Sequence, residues 1–418
     1  MKTLADIADI LVGFAFKSSG FLTPNSDGIA LLRGDNVQQG HIRWGEKTRR
    51  WPISDYNLLA RYHLALEDVV LAMDRPIVGN GLKMAWIQKH DIPSLLVQRV
   101  CRIRGKKNVA LTNYIRYIVS DKKFSDHIQK ITTGANIPHI SAKDIASYKI
   151  TLPSINSQRK IVNTLSPYDD LIATNQRRIA LLEEAAHLIY REWFINMQFP
   201  GHDSTPMSNG APERWTTTTL GNVCTPLGGG TPSTKVAEYW NGDITWVTPT
   251  DVTRNNSVVL LDSEKKISES GLKNSSAKLL PPETILMTSR ASIGYFALMD
   301  YPVCTNQGFI SIIPEKDYSK MYLLFNLMNR IEEMTSLATG STFKELSKRT
   351  FRSLTVLWPA DEILEKFNDA VYPMIQQIRV IKKQNSQLAQ ARDLLLPKLM
   401  SGQIDVSNIQ LPDEDVVT

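Results

Sequence analysis

Two side-chain types recur at matching places along the chain. Arg75 and Arg290 stand at equivalent positions, as do Gln98 and Gln307. An arginine fork binds phosphate or carboxylate oxygens in pairs, and a glutamine amide offers a donor and an acceptor together. On loops that follow strands, such groups are suited to a polyanion. Further basic residues lie in similar settings: Lys17, Arg33, Arg49 and Arg50 early in the chain, and Lys235, Arg254 and Lys344 later. The excess of 48 Lys and Arg over 42 Asp and Glu, a formal charge of +6, fits such a partner only mildly, because a charge of that size also serves solubility.

Catalytic chemistry has no comparable footing. There is no G-x-x-x-x-G-K-[ST] loop for nucleotide phosphates and no G-x-G-x-x-G after a strand. Gly228-Gly229-Gly230-Thr231-Pro232 lacks the following lysine and reads as a flexible turn. The seven histidines form no H-E-x-x-H or H-x-E zinc pattern, and His139 and His202 read as ordinary residues. The Asn-Pro-Pro-aromatic or Asp-Pro-Pro-aromatic tetrapeptide of an amino-methyltransferase is missing, and Leu280-Pro281-Pro282-Glu283 does not replace it. Cys101, Cys224 and Cys304 lie too far apart in sequence to suggest a disulfide framework or a zinc site, which points to a reducing cytoplasm. No apolar run of about 18 residues suggests a membrane span, and the N-terminus lacks a signal-peptide core. The expectation is a chain that is not itself an enzyme.

What must position the basic and amide residues is a repeat. Thr3-Leu4-Ala5-Asp6-Ile7 recurs as Thr219-Leu220-Gly221-Asn222-Val223, and Gly28-Ile29-Ala30-Leu31-Leu32 as Asp243-Ile244-Thr245-Trp246-Val247. Val69 to Arg75 answers Thr284 to Arg290 at an offset of 215, Gly79 answers Gly294, and Gln98 answers Gln307 at 209. Thr133-Gly134 and Pro153 match Thr339-Gly340 and Pro359 at 206. Each copy begins with short β-like runs broken by Gly, Asn and Pro, and Trp44, Trp51, Trp240 and Trp246 are expected to pack in its core. Each copy ends in a long helical stretch.

In the first stretch Ile172, Asn175, Ile179, Leu182, Ala186, Ile189 and Trp193 step by three and four. Adding 206 gives Ile378, Ile381, Asn385, Leu388, Arg392, Leu395 and Leu399. A mostly apolar seam of this period is the mark of a coiled coil, and the one Asn in each seam suits a register-setting role. Pro167 and Pro373 hold equivalent places where each helix is expected to start or kink. Tyr168 to Ile195 would span about 42 Å at about 1.5 Å per residue, comparable with the rise of one turn of B-DNA. Between the copies, Pro200, Pro206, Pro212, Gly201 and Gly210 read as a linker.

At this point the chain resembles the specificity subunits of type I restriction-modification systems. The likeness rests on Pro212-Glu213-Arg214-Trp215, Thr231-Pro232-Ser233, Tyr239-Trp240, Ile244 to Thr248, Asp251-Val252, Ser289 to Gly294 and Thr305 to Phe309. In the first copy it rests on Leu152-Pro153, Gln158 to Val162 and Tyr190 to Phe194. The resemblance implies an α+β architecture: two pseudo-symmetric target-recognition domains, built of short twisted β-sheets with helices, joined by two long antiparallel coiled-coil helices. The expected divisions are 1–153 and 215–359 for the recognition domains, 154–197 and 360–404 for the helices, 198–214 for the linker and 405–418 for an acidic, disordered tail.

The resemblance further implies double-stranded DNA as ligand, with each domain reading one half of a split asymmetric site and the helices setting the gap. It implies two methyltransferase subunits that modify adenine with S-adenosylmethionine, and restriction subunits that use ATP and Mg. No cofactor is expected in this chain. The matched arginines and glutamines and the seven other basic residues become candidates for phosphate and base-edge contacts. Phe14-Ala15-Phe16-Lys17-Ser18 stands where the second copy has its Thr-Pro-Ser, so the two domains are expected to read different half-sites. Arg392 at a seam position would weaken the pairing or face a partner subunit. The competing reading is a coiled-coil scaffold that assembles partners without DNA.

Overall fold

In the computed structural model, residues 1–409 are described apart from 46, 80, 133–137, 209, 256 and 341–342. The chain forms two compact units, Met1–Asp170 together with the chain from Leu388 onward, and Leu171–Gln387. Each unit takes one segment of each long helix.

The two units repeat one topology. In the first, a four-stranded antiparallel sheet has the order Ala8–Val12, Val100–Gly105, Val69–Ala72, Met84–Trp86. In the second, the same order is filled by Cys224–Gly228, Phe309–Pro314, Ile285–Thr288 and Phe296–Ala297. Val69–Ala72 is buried along its whole length because both faces are covered. Val69 and Leu71 pack with Tyr114 and Ile115 of the helix Thr112–Ser120, while Val70 and Ala72 pack with Leu11, Leu32 and Ala85. Period-two alternation sends successive side chains into the two clusters. Ile285–Thr288 does the same in the second unit, with Met287 against Leu323 and Leu324, and Leu286 against Val247 and Leu280.

A three-stranded mixed sheet follows in each unit. Ile29–Leu32 runs antiparallel to Arg49–Trp51 and parallel to Ser94–Leu96. Trp240–Val247 pairs likewise with Lys265–Ile267 and Cys304–Thr305. Trp246 is buried, whereas Trp44, Trp51 and Trp240 are half-buried with their ring N–H groups bonded to Asp91, Asp55 and the Ser233 carbonyl.

Two expectations about the helices change. The first runs unbroken from Ile155 to Tyr190 and the second from Asp361 to Met400, so neither starts at its proline. Pro167 and Pro373 each remove a backbone donor inside these helices. In the second unit the segments pack antiparallel: Asn175 Nδ2 donates to Asn385 Oδ1 at 2.9 Å, while Tyr190 and Phe194 meet Phe367. Ile179, Ala186, Ile378 and Ile381 are buried; Ile172, Leu182, Ile189 and Trp193 are half-buried. Tyr190 and Phe194 are buried where Ile189 and Trp193 were expected, and a π-helical turn at Arg191–Ile195 follows Tyr190. Ile363, Leu364, Phe367, Val371 and Ile375 extend the second seam upstream. At its other end, in the first unit, Leu396 and Leu399 are buried and Leu388 and Leu395 half-buried.

Arg392 also differs from expectation. It neither weakens the pairing nor faces outward, because its Nη1 donates to Asp169 Oδ1 at 2.7 Å. Asp169 further accepts from Arg116 and, at 2.9 Å, from the Tyr117 hydroxyl, and the Arg116 guanidinium lies 3.6 Å over the Trp86 ring.

The stretch read as a linker is structured. Phe199 is buried against Trp215, and Met207–Ser208 pairs with Ala211–Pro212. The tail departs from disorder at its start, where Val406 is buried and the Ser407 carbonyl accepts from Lys160 Nζ at 2.6 Å. Its acidic residues 413–415, and Thr133-Gly134 of the repeat, lie outside the described residues. Among the described residues no helix is long and apolar enough to cross a membrane.

Candidate nucleic-acid interface

In the first unit the loop after Ile29–Leu32 is built around Asn36, whose Oδ1 accepts from the Arg33 N–H and whose Nδ2 donates to the Arg43 carbonyl, both at 3.0 Å. The equivalent loop of the second unit is a capped turn, in which Asp251 accepts from the Thr248 N–H at 2.8 Å. Lys83 holds the first loop from beside it, with Nζ 2.6 Å from the Gly34 carbonyl. Burial pushes the Lys83 amine down; Asp35 and Asp74 oppose this, and Arg43 and Arg75 add to it. Arg75 and Arg43 therefore lie near Lys83, together with the carboxylates of Asp35 and Asp74. Neither Arg43 nor Lys83 stood out in the sequence, since their grouping depends on two loops meeting.

The pairing of Arg75 with Arg290 shifts by one residue. Strand registers place Ala72 opposite Val100 and Thr288 opposite Phe309, an offset of 216 on the first member and 209 on the second. Arg75 and Ala291 share a left-handed backbone, φ 45° and 63°, and their N–H groups bond to the equivalent carbonyls of Pro138 and Lys344. The structural counterpart of Arg290 is therefore Asp74. These two close the same junction with opposite charges: Asp74 accepts from His139 Nδ1 and Arg99 at 2.6 Å, whereas Arg290 pairs with Glu345 at 3.7 Å. Burial alone would raise the Asp74 carboxyl, yet the bonds from Arg99 and His139 hold it below the usual carboxylate range.

Gln98 and Gln307 remain equivalent and exposed. The Thr231 hydroxyl donates to Gln307 Oε1, which leaves the Gln307 amide N–H groups outward. The N–H of Phe14 bonds to the Leu96 carbonyl as that of Gly230 does to Thr305, which puts Ala15 at the place of Thr231, so Gln98 lacks that hydroxyl and the two amides are presented differently.

The remaining candidates divide by what they already hold. Arg50 spends Nε and Nη1 on the carbonyls of Pro24 and Gly28, both at 2.8 Å, and holds the 21–28 loop to its own strand beside an open groove lined by Asn25, Trp44, Thr48 and His90. Arg33 is half-buried, 3.6 Å from Asp35, and Arg254 pairs with Glu264 at 3.7 Å on the surface. Lys17, Lys235 and Lys344 are exposed and Arg49 is half-buried; none has a side-chain partner among the described residues. Lys348, Arg349 and Arg352 are equally exposed and have no side-chain partner among the described residues. Sequence reasoning passed over them, although four basic residues within 344–352 were a visible signal.

The triple glycine is not a flexible turn. A Cβ on Gly229 would sit 2.2 Å from the carbonyl oxygens of Thr305 and Asn306, and one on Gly230 2.2 Å from Ser276 Oγ. Gly230 is pinned by an N–H bond to the Thr305 carbonyl and by Trp246 Nε1 on its own carbonyl, both 2.9 Å. The glycines let the backbone cross a neighbouring chain closely just before it delivers Thr231 to Gln307.

Residues 1–184 and 212–390 both match the type I restriction modification DNA specificity domain. The chain belongs to this family. Among its relatives is the MjaIX specificity subunit of Methanocaldococcus jannaschii, 37% identical over 176 residues, which are 42% of this chain and 41% of that one. That match spans about two fifths of the relative's length. The HindI specificity subunit of Haemophilus influenzae is 21% identical over 402 residues, covering 81% of this chain and 86% of that one. A solved type I S subunit from M. genitalium superposes with a TM-score of 0.54 over 96% of this chain and 95% of that one at 16% identity, a likeness of fold.

Proposed function

We propose that this chain is the DNA sequence-specificity subunit of a type I restriction-modification complex. Each globular half reads one half of a bipartite, asymmetric site on double-stranded DNA, and the long helices set the unread gap. The chain is non-catalytic. It recruits two methyltransferase subunits, which supply S-adenosylmethionine-dependent adenine-N6 methylation, and restriction subunits, which supply ATP- and Mg-dependent cleavage; the setting is the cytoplasm.

The observation that carries this reading is one recognition scaffold built twice with different side chains at the same loop positions. Asp74 against Arg290, Arg33 against Thr248 and Ala15 against Thr231 give each half its own pattern of donors, acceptors and charge. Direct readout of base edges depends on such a pattern.

Methylome sequencing of a host that expresses this chain with its methyltransferase partner tests the reading. A split motif methylated on adenine is expected. Inserting one heptad at matching places in both long helices should lengthen the gap and leave both half-sites unchanged. A contiguous motif, or a gap that ignores the insertion, would refute the assignment.

A further inference from the structure

One surface of the second unit is charged far beyond its structural twin. The short helix Lys348–Ser353 is capped by Ser347, whose Oγ accepts from the Thr350 N–H at 3.0 Å. The helix Ala142–Ala146 of the first unit is capped identically by Ser141, which accepts from the Asp144 N–H at 3.2 Å. The shared cap aligns the two segments residue by residue at an offset of 206. Lys344, Lys348, Arg349 and Arg352 then correspond to Pro138, Ala142, Lys143 and Ala146. Four cations stand in the second unit where the first has one.

All four are exposed, and none makes a side-chain hydrogen bond or ion pair among the described residues. The nearby carboxylate of Glu345 is already paired with Arg290. Lys348 reaches over the strand end at Gly228, and Arg352 packs along Gly221, so the charges follow the edge that leads to Gly229, Gly230 and Thr231. Four unneutralised cations beside the loop that carries Gln307 fit a regularly spaced polyanion. An apolar protein partner has no matching reason to select them, and the assembly readout below separates an acidic one from DNA.

We infer that Lys344, Lys348, Arg349 and Arg352 form a phosphate-backbone clamp in the second unit, and that the two halves share DNA affinity unequally. The clamp rests on the DNA-reading function proposed above. It supplies salt-sensitive, sequence-independent grip, while the first unit contributes fewer phosphate contacts at the equivalent place. Each phosphate neutralised on duplex DNA adds about 0.9 to the slope of log affinity against log salt.

The test uses the chain in complex with its methyltransferase subunits and a duplex bearing the methylated motif, titrated between about 50 and 200 mM salt. The triple variant K348Q/R349Q/R352Q should lower the slope by about three and weaken motif and scrambled duplexes alike, whereas K143Q should lower it by about one at most. The charge-preserving variant K348R/R349K/R352K should keep the wild-type slope. An unchanged slope in the triple variant overturns the clamp while leaving DNA reading intact, as does a loss confined to the motif duplex. A variant that keeps its slope but no longer assembles with the methyltransferase assigns the surface to a protein partner and also overturns it. If the wild-type complex bound no duplex at all, the proposed function would fall first.

Discussion

Replacing Asp169 by Asn isolates the ionic cluster that joins the two long helices within the first unit. Asp169 is 3% exposed at its side chain and Arg116 only 9%, so little water is at hand to replace a lost partner. The Asn side chain keeps the shape and one acceptor oxygen but removes the negative charge shared by Arg116 and Arg392. Removing one member of a buried pair costs about 3–5 kcal/mol, because the remaining charge stays desolvated. Two features favour the lower end. Arg116 keeps its stacking on Trp86 at 3.6 Å, and Asp170, its carboxyl raised by burial and lowered by Arg116, stands close by. With a urea dependence of about 2 kcal/mol per M, a loss of about 3 kcal/mol moves the midpoint by about 1.5 M. Two units need not unfold together, so the assay is segment-resolved hydrogen exchange. Protection of Thr112–Ser120 should fall steeply, while Lys320–Met328 in the second unit keeps its own. Arg392→Met is the control: Asp169 retains Arg116, the new side chain suits a coiled-coil seam, and the cost should stay below about 1.5 kcal/mol. The reasoning fails if D169N lies within about 0.5 kcal/mol of wild type, or if R392M costs as much.

Two further outcomes follow from the second unit. Lys382 donates to Asn255 Oδ1 and the Val259 carbonyl, and burial pushes its amine down to about 8 despite the opposing charge of Glu183. The unfolded chain therefore binds more protons than the folded one between that value and the ordinary lysine range, so this unit should gain stability as pH rises above about 8. In K382M that component should vanish, and equal pH slopes of the melting midpoint in the two proteins would contradict it. Gly229→Ala drives a methyl group into two backbone carbonyls and should cost at least about 1–3 kcal/mol, read as a lower melting temperature of the second unit. Gly34→Ala, with open space around its Cβ, should be neutral, and equal effects would refute the close-crossing argument.

Much of the architecture was legible because repetition survives in one dimension. Matching strand runs, matching glutamines and a seam that kept phase across 206 residues needed no coordinates, and they led to two α+β halves and antiparallel helices. Local side-chain chemistry was less legible. Arg75 and Arg290 looked equivalent by spacing, yet the hydrogen-bonded register slides one against the other by a residue, and a slip of one residue changes which group occupies the junction. Arg50 looked like a free donor until two carbonyls of the 21–28 loop were seen to hold it.

The sequence by itself determined the duplication, the long helices and the family, since periodicity and residue order carry them. Only the tertiary structure decided which charges are spent and which are free. Arg392 is neutralised by a carboxylate 223 residues away in sequence, whereas Lys348, Arg349 and Arg352 have no ion-pair partner among the described residues. Coulomb and hydrogen-bond partners act through space over a few ångströms, so only the folded chain assigns them.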